Sequence, residues 1–120
     1  MRKGDICIID YEPAVGAEPN KRRPSVVISN DVLNAVTERK LYGVVTVAPL
    51  TSNIDYVWEH QVFIPNDVSG LQHDSKLQVE LLRSVDLRKI KSDVISHLPD
   101  RYMDQVNAAI AYHFGLFLSY

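Results

Sequence analysis

A small, twisted β-barrel with attached helices, mainly β with helices added (α+β), is the fold this sequence predicts. Three observations predict it. Short β-branched runs bounded by turn residues fill the first two thirds of the chain. A basic loop rich in Pro and Gly separates the first two of these runs. Near Pro99 the apolar period changes from that of strands to that of a helix. Short strands that close on themselves, with a helix packed against them, satisfy all three.

The elements follow in order. Ile6-Cys7-Ile8-Ile9, between Gly4-Asp5 and Asp10, predicts a buried strand. Residues 11–23 contain Pro13, Gly16, Pro19 and Asn20 and predict a loop. Pro24-Ser25-Val26-Val27-Ile28-Ser29 predicts a second strand. Asn30-Asp31 predicts a cap for a short helix over 32–38, with Val32, Leu33 and Val36 on one face. Residues 42–50 (YGVVTVAPL) carry the longest strand signal, and Pro49 belongs near its end because proline donates nothing to a ladder. Residues 61–64 and 76–82 predict two more strands. In the latter, Leu77, Val79 and Leu81 alternate with Lys76, Gln78 and Glu80. From Pro99 onward, Tyr102, Val106, Ala109, Ile110 and His113 recur at helical spacing, Asp100 suits the positive end of the dipole and Gly115 is a stop. The apolar tail, Leu116-Phe117-Leu118-Ser119-Tyr120, is expected to fold back or to join a subunit contact.

A single domain over residues 1–120 is expected, since 120 residues leave room for one core. With 46% hydrophobic and 23% charged residues, disorder and low-complexity architectures are excluded. No apolar run approaches the roughly 18–20 residues of a spanning helix, so no membrane partner is expected. The first residues, Met1-Arg2-Lys3-Gly4-Asp5, reach an acid before any long apolar stretch and do not read as a signal peptide. Cys7 is the one cysteine and has no internal disulfide partner, so a cytoplasmic location is expected. The formal net charge of −2 excludes a uniformly basic nucleic-acid coat but not a local basic site. The cations cluster at Lys21-Arg22-Arg23 and at Arg88-Lys89 with Lys91; the second cluster reads as a solvated turn.

Several chemistries lack their residues. His60, His73, His97 and His113 are widely spaced, form no HExxH pair, and read as structural or solvent-exposed. No metal site and no cofactor are expected: GxGxxG, P-loop and GxSxG patterns are all absent. Cys7, inside an apolar strand, reads as an inert buried thiol.

Three segments remain. The loop from Gly16 to Pro24 brings three adjacent cations to a strand start, where an arginine presents a planar fork to a phosphate; the alternative is a solvated basic turn. Thr51-Ser52-Asn53 places hydroxyl and amide groups at a strand end, suited to phosphate or sugar oxygens or simply to a turn. Tyr56-Val57-Trp58 offers aromatic faces for stacking on bases or for packing. Together they suit phosphodiester cleavage without metal, with Arg meeting the charge on phosphorus. RNA is the matching substrate because it carries its own 2′-hydroxyl nucleophile.

An ordered series of motifs resembles the MazF/PemK-type toxins of bacterial toxin–antitoxin pairs. Gly4-Asp5-Ile6 with Asp10 and Pro13 resembles the family's opening, and Gly16-x-Glu18 followed by Arg23-Pro24 and Val26-Val27-Ile28-Ser29-Asn30 its loop and second strand. Val47-Ala48-Pro49-Leu50-Thr51-Ser52 resembles the strand ending in P-x-T-[ST]. Ser69-Gly70-Leu71, Asp74-Ser75, Leu82-Arg83-Ser84-Val85-Asp86 and His97-Leu98 resemble later segments. The resemblance implies an SH3-like β-barrel of the CcdB/PemK type with a C-terminal helix, working as a homodimer. It also implies a metal-independent, sequence-specific endoribonuclease that cuts single-stranded mRNA and leaves 2′,3′-cyclic phosphate and 5′-hydroxyl ends. A cognate antitoxin would be the protein partner. By position, Arg23 and Thr51 match the family's catalytic pair, Arg23 for phosphate stabilisation and proton transfer and Thr51 to hold the phosphate or the 2′-hydroxyl, and Glu18 matches the loop acid, there to orient Arg23 or move a proton. Lys21, Arg22, Ser52, Asn53, Gln78, Glu80 and Arg83 are candidate RNA contacts. The sequence departs from family patterns at Ala17, Pro19, Gln78 and Leu81. Two other readings stay open: a non-enzymatic gyrase poison on the same fold, resting on the apolar tail, and a catalytically silent member that binds RNA or antitoxin.

Overall fold

The computed structural model describes residues 1–116, so the expectation for the tail from Phe117 onward lies outside the described residues. In chain order the elements are β1 (Asp5–Asp10), β2 (Arg22–Val27), α1 (Asp31–Lys40), β3 (Val44–Thr51), β4 (Gln61–Ile64), α2 (Asn66–Ser69), β5 (Ser75–Gln78), β6 (Arg83–Asp86), β7 (Ser96–His97) and α3 (Asp100–His113). Short 3-10 turns cover Val79–Leu81 and Leu87–Lys89. Among the described residues the seven strands form one sheet in the order β4-β5-β3-β2-β1-β7, with β6 also on β3. The mainly β architecture with a C-terminal helix is as the sequence predicts.

Strand β3 holds the sheet together. It pairs with β6 through Val44–Val47, with β2 through Val47–Pro49, and with β5 at Leu50 and Thr51, every pairing antiparallel. The strands are buried on both faces. Ile6, Val26, Ala48 and Leu50 join Leu77, Leu98 and the α3 residues Val106 and Ala109 in one core. Their chain neighbours Cys7, Val27 and Val47 join Ile9, Tyr11, Val45 and Val85 in a second. A strand covered on both sides needs apolar residues at successive positions, which is why β1 reads as an unbroken run. Each fully buried side chain of this kind contributes about 1.5–3 kcal/mol. Burial also pushes the Cys7 thiol up to about 11, in keeping with an inert side chain.

Four expectations are corrected. Strand β2 starts at Arg22, because β1 pairs as far as Asp10 opposite Arg22 and Ile9 opposite Arg23. The last two cations of the basic cluster therefore lie in the sheet. Strand β3 starts at Val44 rather than Tyr42: the turn after α1 puts Leu41 at φ 53° and Gly43 at φ 129°, and the second value is glycine's own territory. Helix α1 does not bury its apolar face. Val32 and Leu33 are exposed, while Asn34 and Thr37 are buried. The Asn34 amide donates to the Ser29 carbonyl at 2.8 Å and accepts from the Ser29 hydroxyl at 2.6 Å, and Thr37 Oγ1 donates to the Val44 carbonyl at 3.3 Å. The helix docks on strand-end backbone, which polar groups satisfy and valines do not. The expected N-cap is present, with Asn30 Oδ1 accepting from the Leu33 amide at 2.9 Å. Finally, the strand expected over 76–82 ends at Gln78. The chain coils through the Val79–Leu81 turn to cross over to β6, and Val79 stays buried while Leu81 is half-buried.

Helix α3 matches its expected span. Val106 and Ala109 are buried, and Tyr102 and Ile110 pack beside them. His113 is exposed instead of continuing the stripe, its ring lying 5.0 Å from that of Phe114. Strand β7 is tied to β1 by a 2.7 Å contact between His97 Nδ1 and Asp5 Oδ1. Among the described residues no helix is long and apolar enough to cross a membrane.

Candidate active site

The site is built where β2 begins and β3 ends, side by side in the sheet. The β1–β2 loop turns into β2 through Lys21, whose φ of 60° is left-handed, and the Tyr11 amide donates to the Lys21 carbonyl at 2.9 Å. Two residues on, Arg23 is fixed from both ends. Its Nε donates to the Asn20 carbonyl at 2.9 Å and its Nη2 to Asn20 Oδ1 at 2.8 Å. This leaves both Nη1 protons and one Nη2 proton for an anion. Beneath it, Ser25 Oγ donates to the Arg23 carbonyl at 3.2 Å and lies 2.6 Å from Tyr11 Oη. With the serine proton so used, Tyr11 donates to Ser25; burial raises the Tyr11 phenol and keeps it protonated.

Thr51 closes β3 opposite Lys76 of β5. Its Oγ1 accepts from the Asn53 amide at 3.2 Å, which leaves the hydroxyl proton available to donate. Arg23 and Thr51 together form the divide between two adjoining clefts. The larger, about 470 Å³, is also lined by Lys21, Arg22, Ser52, Gln72 and His73. The smaller, about 230 Å³, is lined by Glu18, Asn20, Gln78 and Leu81. Beyond Glu18 a further cleft of about 390 Å³ is lined by Glu80, Leu82 and Arg83 with the aliphatic Val15 and Pro19. The groove is thus cationic on one side of the divide and carries the carboxylates Glu18 and Glu80 on the other.

Of the sequence-predicted residues, Arg23 and Thr51 meet at the divide. Lys21, Arg22 and Ser52 face the large cleft, Glu18 and Gln78 the small one, and Glu80 and Arg83 the third. Arg22 does not line the small cleft, so Arg23 alone of the cations spans both. Asn53 belongs to the turn after β3, its Oδ1 accepting from the Asp55 amide at 3.4 Å. Glu18 Oε1 accepts from the Val15 amide at 2.8 Å, while Asn20 holds the Arg23 side chain through its carbonyl and its Oδ1. Glu80 Oε2 accepts from Gln61 Nε2 at 2.8 Å, and its Oε1 lies 3.6 Å from His60 Nε2. Tyr56 and Trp58 are exposed, with ring centroids 4.4 Å apart. In the second basic cluster, the Arg88 guanidinium is exposed, bonds the half-buried Asp86 and holds that carboxyl down to about 2. No group of three or more His, Cys, Asp or Glu side chains among the described residues is placed to hold a metal ion.

Two residues at the site go beyond the sequence reading. Asn20, read only as a turn former, clamps Arg23; the signal was an amide three positions before an arginine. His73 carries no local signal, since it reaches the cleft from the segment between α2 and β5. We expect Asn20→Ala to lower the turnover of the RNA cleavage argued below about tenfold, the order of one hydrogen bond to a charged group, while Asn20→Asp keeps most of it. Steady-state kinetics on a defined oligonucleotide checks this.

Comparison with known proteins gives a consistent result. A family model described as PemK-like, MazF-like toxin of type II toxin-antitoxin system matches residues 2–114. The chain is 40% identical over 116 residues to endoribonuclease MazF9 of Mycobacterium tuberculosis, covering 97% of this chain and 98% of that protein. Its fold superposes on MazF from Deinococcus radiodurans with a TM-score of 0.78 at 22% identity, covering 96% of each chain. It also superposes on an endoribonuclease in complex with its cognate antitoxin from a mycobacterial species, with a TM-score of 0.77 at 15% identity and 99% coverage of each. With motifs, architecture and sequence in agreement from one end to the other, the chain belongs to the PemK-like, MazF-like toxins of type II toxin–antitoxin systems.

Proposed function

We propose that this chain is a metal-independent, sequence-specific endoribonuclease that cuts single-stranded mRNA in the cytoplasm and is held in check by a cognate antitoxin. One observation carries the reading: the Arg23 fork and the Thr51 hydroxyl stand together on the divide between two open clefts, where a strand crossing the groove brings its phosphate.

At the divide, Arg23 donates from Nη1 and Nη2 to the non-bridging oxygens, and Thr51 donates its hydroxyl proton to the same group. Both interactions strengthen as charge builds on phosphorus. Arg23 stays charged and does not serve as the base. The carboxylate in the small cleft, Glu18, takes the 2′-hydroxyl proton through Oε2 while Oε1 holds the Val15 amide. The O2′–P bond forms, the P–O5′ bond breaks, and the ends are a 2′,3′-cyclic phosphate and a 5′-hydroxyl. Lys21, Arg22 and Ser52 hold flanking phosphates, and Asn53 supports Thr51 from its turn. Gln78, Glu80 and Arg83 face base edges on the other side.

Partners follow the family. The likeness to an endoribonuclease complexed with its cognate antitoxin supports a cognate antitoxin as this chain's protein partner. A homodimer is supported by exposed Val32, Leu33, Leu41, Tyr42 and Val44, apolar residues from α1 to the start of β3. The test is incubation of purified protein with a long mixed-sequence RNA in excess EDTA. Discrete cuts at one short motif are expected, reduced about 100-fold by Thr51→Ala. Intact RNA from folded, antitoxin-free protein overturns the reading.

A further inference from the structure

We propose that His73 is the general acid of the cleavage, giving its proton to the departing 5′-oxygen. The inference rests on the ribonuclease reading above and extends it to a residue outside the Arg23, Thr51 and Glu18 set.

In-line displacement puts the attacking and leaving oxygens on opposite sides of phosphorus. The site has two sides. Arg23 and Thr51 stand at the divide, with Glu18 lining the cleft on one side and His73 the cleft on the other. An alkoxide is a poor leaving group and needs a proton as it departs. Neither residue at the divide supplies one readily: a guanidinium does not give up its proton, and a threonine hydroxyl is a very weak acid. The position before Glu18 is Ala17, which has no proton to offer. Of the four histidines, His73 is the one that lines a cleft shared by Arg23 and Thr51. His97 is engaged with Asp5, His60 lies beside Glu80, and His113 sits at the end of α3.

The step balances. The 2′-hydroxyl proton passes to Glu18 as the O2′–P bond forms. The P–O5′ bond breaks, and the 5′-oxygen takes a proton from the His73 imidazolium. Solvent then returns a proton to His73 and removes one from Glu18. The titratable and charged groups facing His73 across the cleft are Lys21, Arg22 and Arg23, and its chain neighbour Asp74 is occupied with the Asn66 amide at 2.8 Å. The acid must carry its proton at the moment the 5′-oxygen departs.

The test uses two oligonucleotides carrying the mapped cleavage site, one normal and one with sulfur in place of the 5′-bridging oxygen. A thiolate departs without a proton. With the normal substrate, His73→Gln is expected to lower kcat about 100-fold with KM within threefold of wild type. With the sulfur substrate it is expected to match wild type. A His73→Gln protein that turns over the normal substrate at the wild-type rate overturns the proposal. So does an equal loss on both substrates, which would make His73 a binding or positioning residue. Wild-type protein that cleaves neither substrate fails the ribonuclease reading itself, a different result from either of these.

Discussion

Arg23→Ala is expected to lower kcat for RNA cleavage by about a thousandfold or more while leaving the fold intact. The reason is geometric. Arg23 is the one cation that lines both clefts, and its guanidinium is already aimed by two hydrogen bonds to Asn20. Such a group stabilises developing charge at no cost in reorganisation, and a single such donor is worth about 100- to 1000-fold before its full charge is counted. Arg23→Lys is expected to recover little, because an ammonium does not reproduce a fork held at Nε and Nη2 while Nη1 faces the phosphate. Stability is expected to change by less than about 1 kcal/mol, since the side chain is only half-buried and bonds only a loop residue. Single-turnover kinetics beside urea unfolding separates the two effects. A variant that stays folded and keeps more than a tenth of wild-type turnover would remove Arg23 from the chemistry.

Leu98→Ala is expected to have the opposite profile, with the largest effect on stability and little on the site. Leu98 is 0% exposed and its amide donates to the Gly4 carbonyl at 3.0 Å. It shares a core with Ile6 of β1 and Val106 of α3, just after the His97–Asp5 contact. Truncating a leucine there loses its transfer energy and leaves a cavity at a junction held from three sides, at a cost of about 3 kcal/mol. For a domain that is stable by only about 5–15 kcal/mol, that is a large share and lowers Tm by roughly 10 °C. The folded fraction is expected to keep its kcat, because β2 and β3 carry the site. A loss below about 1 kcal/mol in urea unfolding would mean that β7 and α3 are not packed on β1 as described.

The sequence made some of this legible and not the rest, for identifiable reasons. Strands β1 and β4 and helix α3 were readable because their apolar residues face a core, so period and burial coincide. Helix α1 was readable in place but not in orientation: its buried side chains are Asn34 and Thr37, and a hydrophobic period does not register a face that docks by hydrogen bonds. Strand β7 is two residues long, too short to set a period, and β6 buries only Val85 among Arg83, Ser84 and Asp86, so it carries no apolar run. The Val79–Leu81 turn kept the alternation of a strand while the backbone coiled. At the site, the basic loop and Thr51 by themselves read as well as a solvated turn and a strand-end turn; the family motifs singled out Arg23 and Thr51, and the fold sets both on the lining of the same two clefts. His73 was not, because only the tertiary fold brings the segment after α2 to the edge of β2.

The measurement that tests the central claim most directly is cleavage, in excess EDTA, of an oligonucleotide with a single 2′-deoxy substitution at the mapped site. If the 2′-hydroxyl attacks a phosphate held between Arg23 and Thr51, the all-ribose strand is cut and mass spectrometry finds a 2′,3′-cyclic phosphate on the upstream fragment. The substituted strand then binds but stays whole. Cutting of the 2′-deoxy strand at the same bond, or a loss of all-ribose cutting in EDTA, would contradict the account.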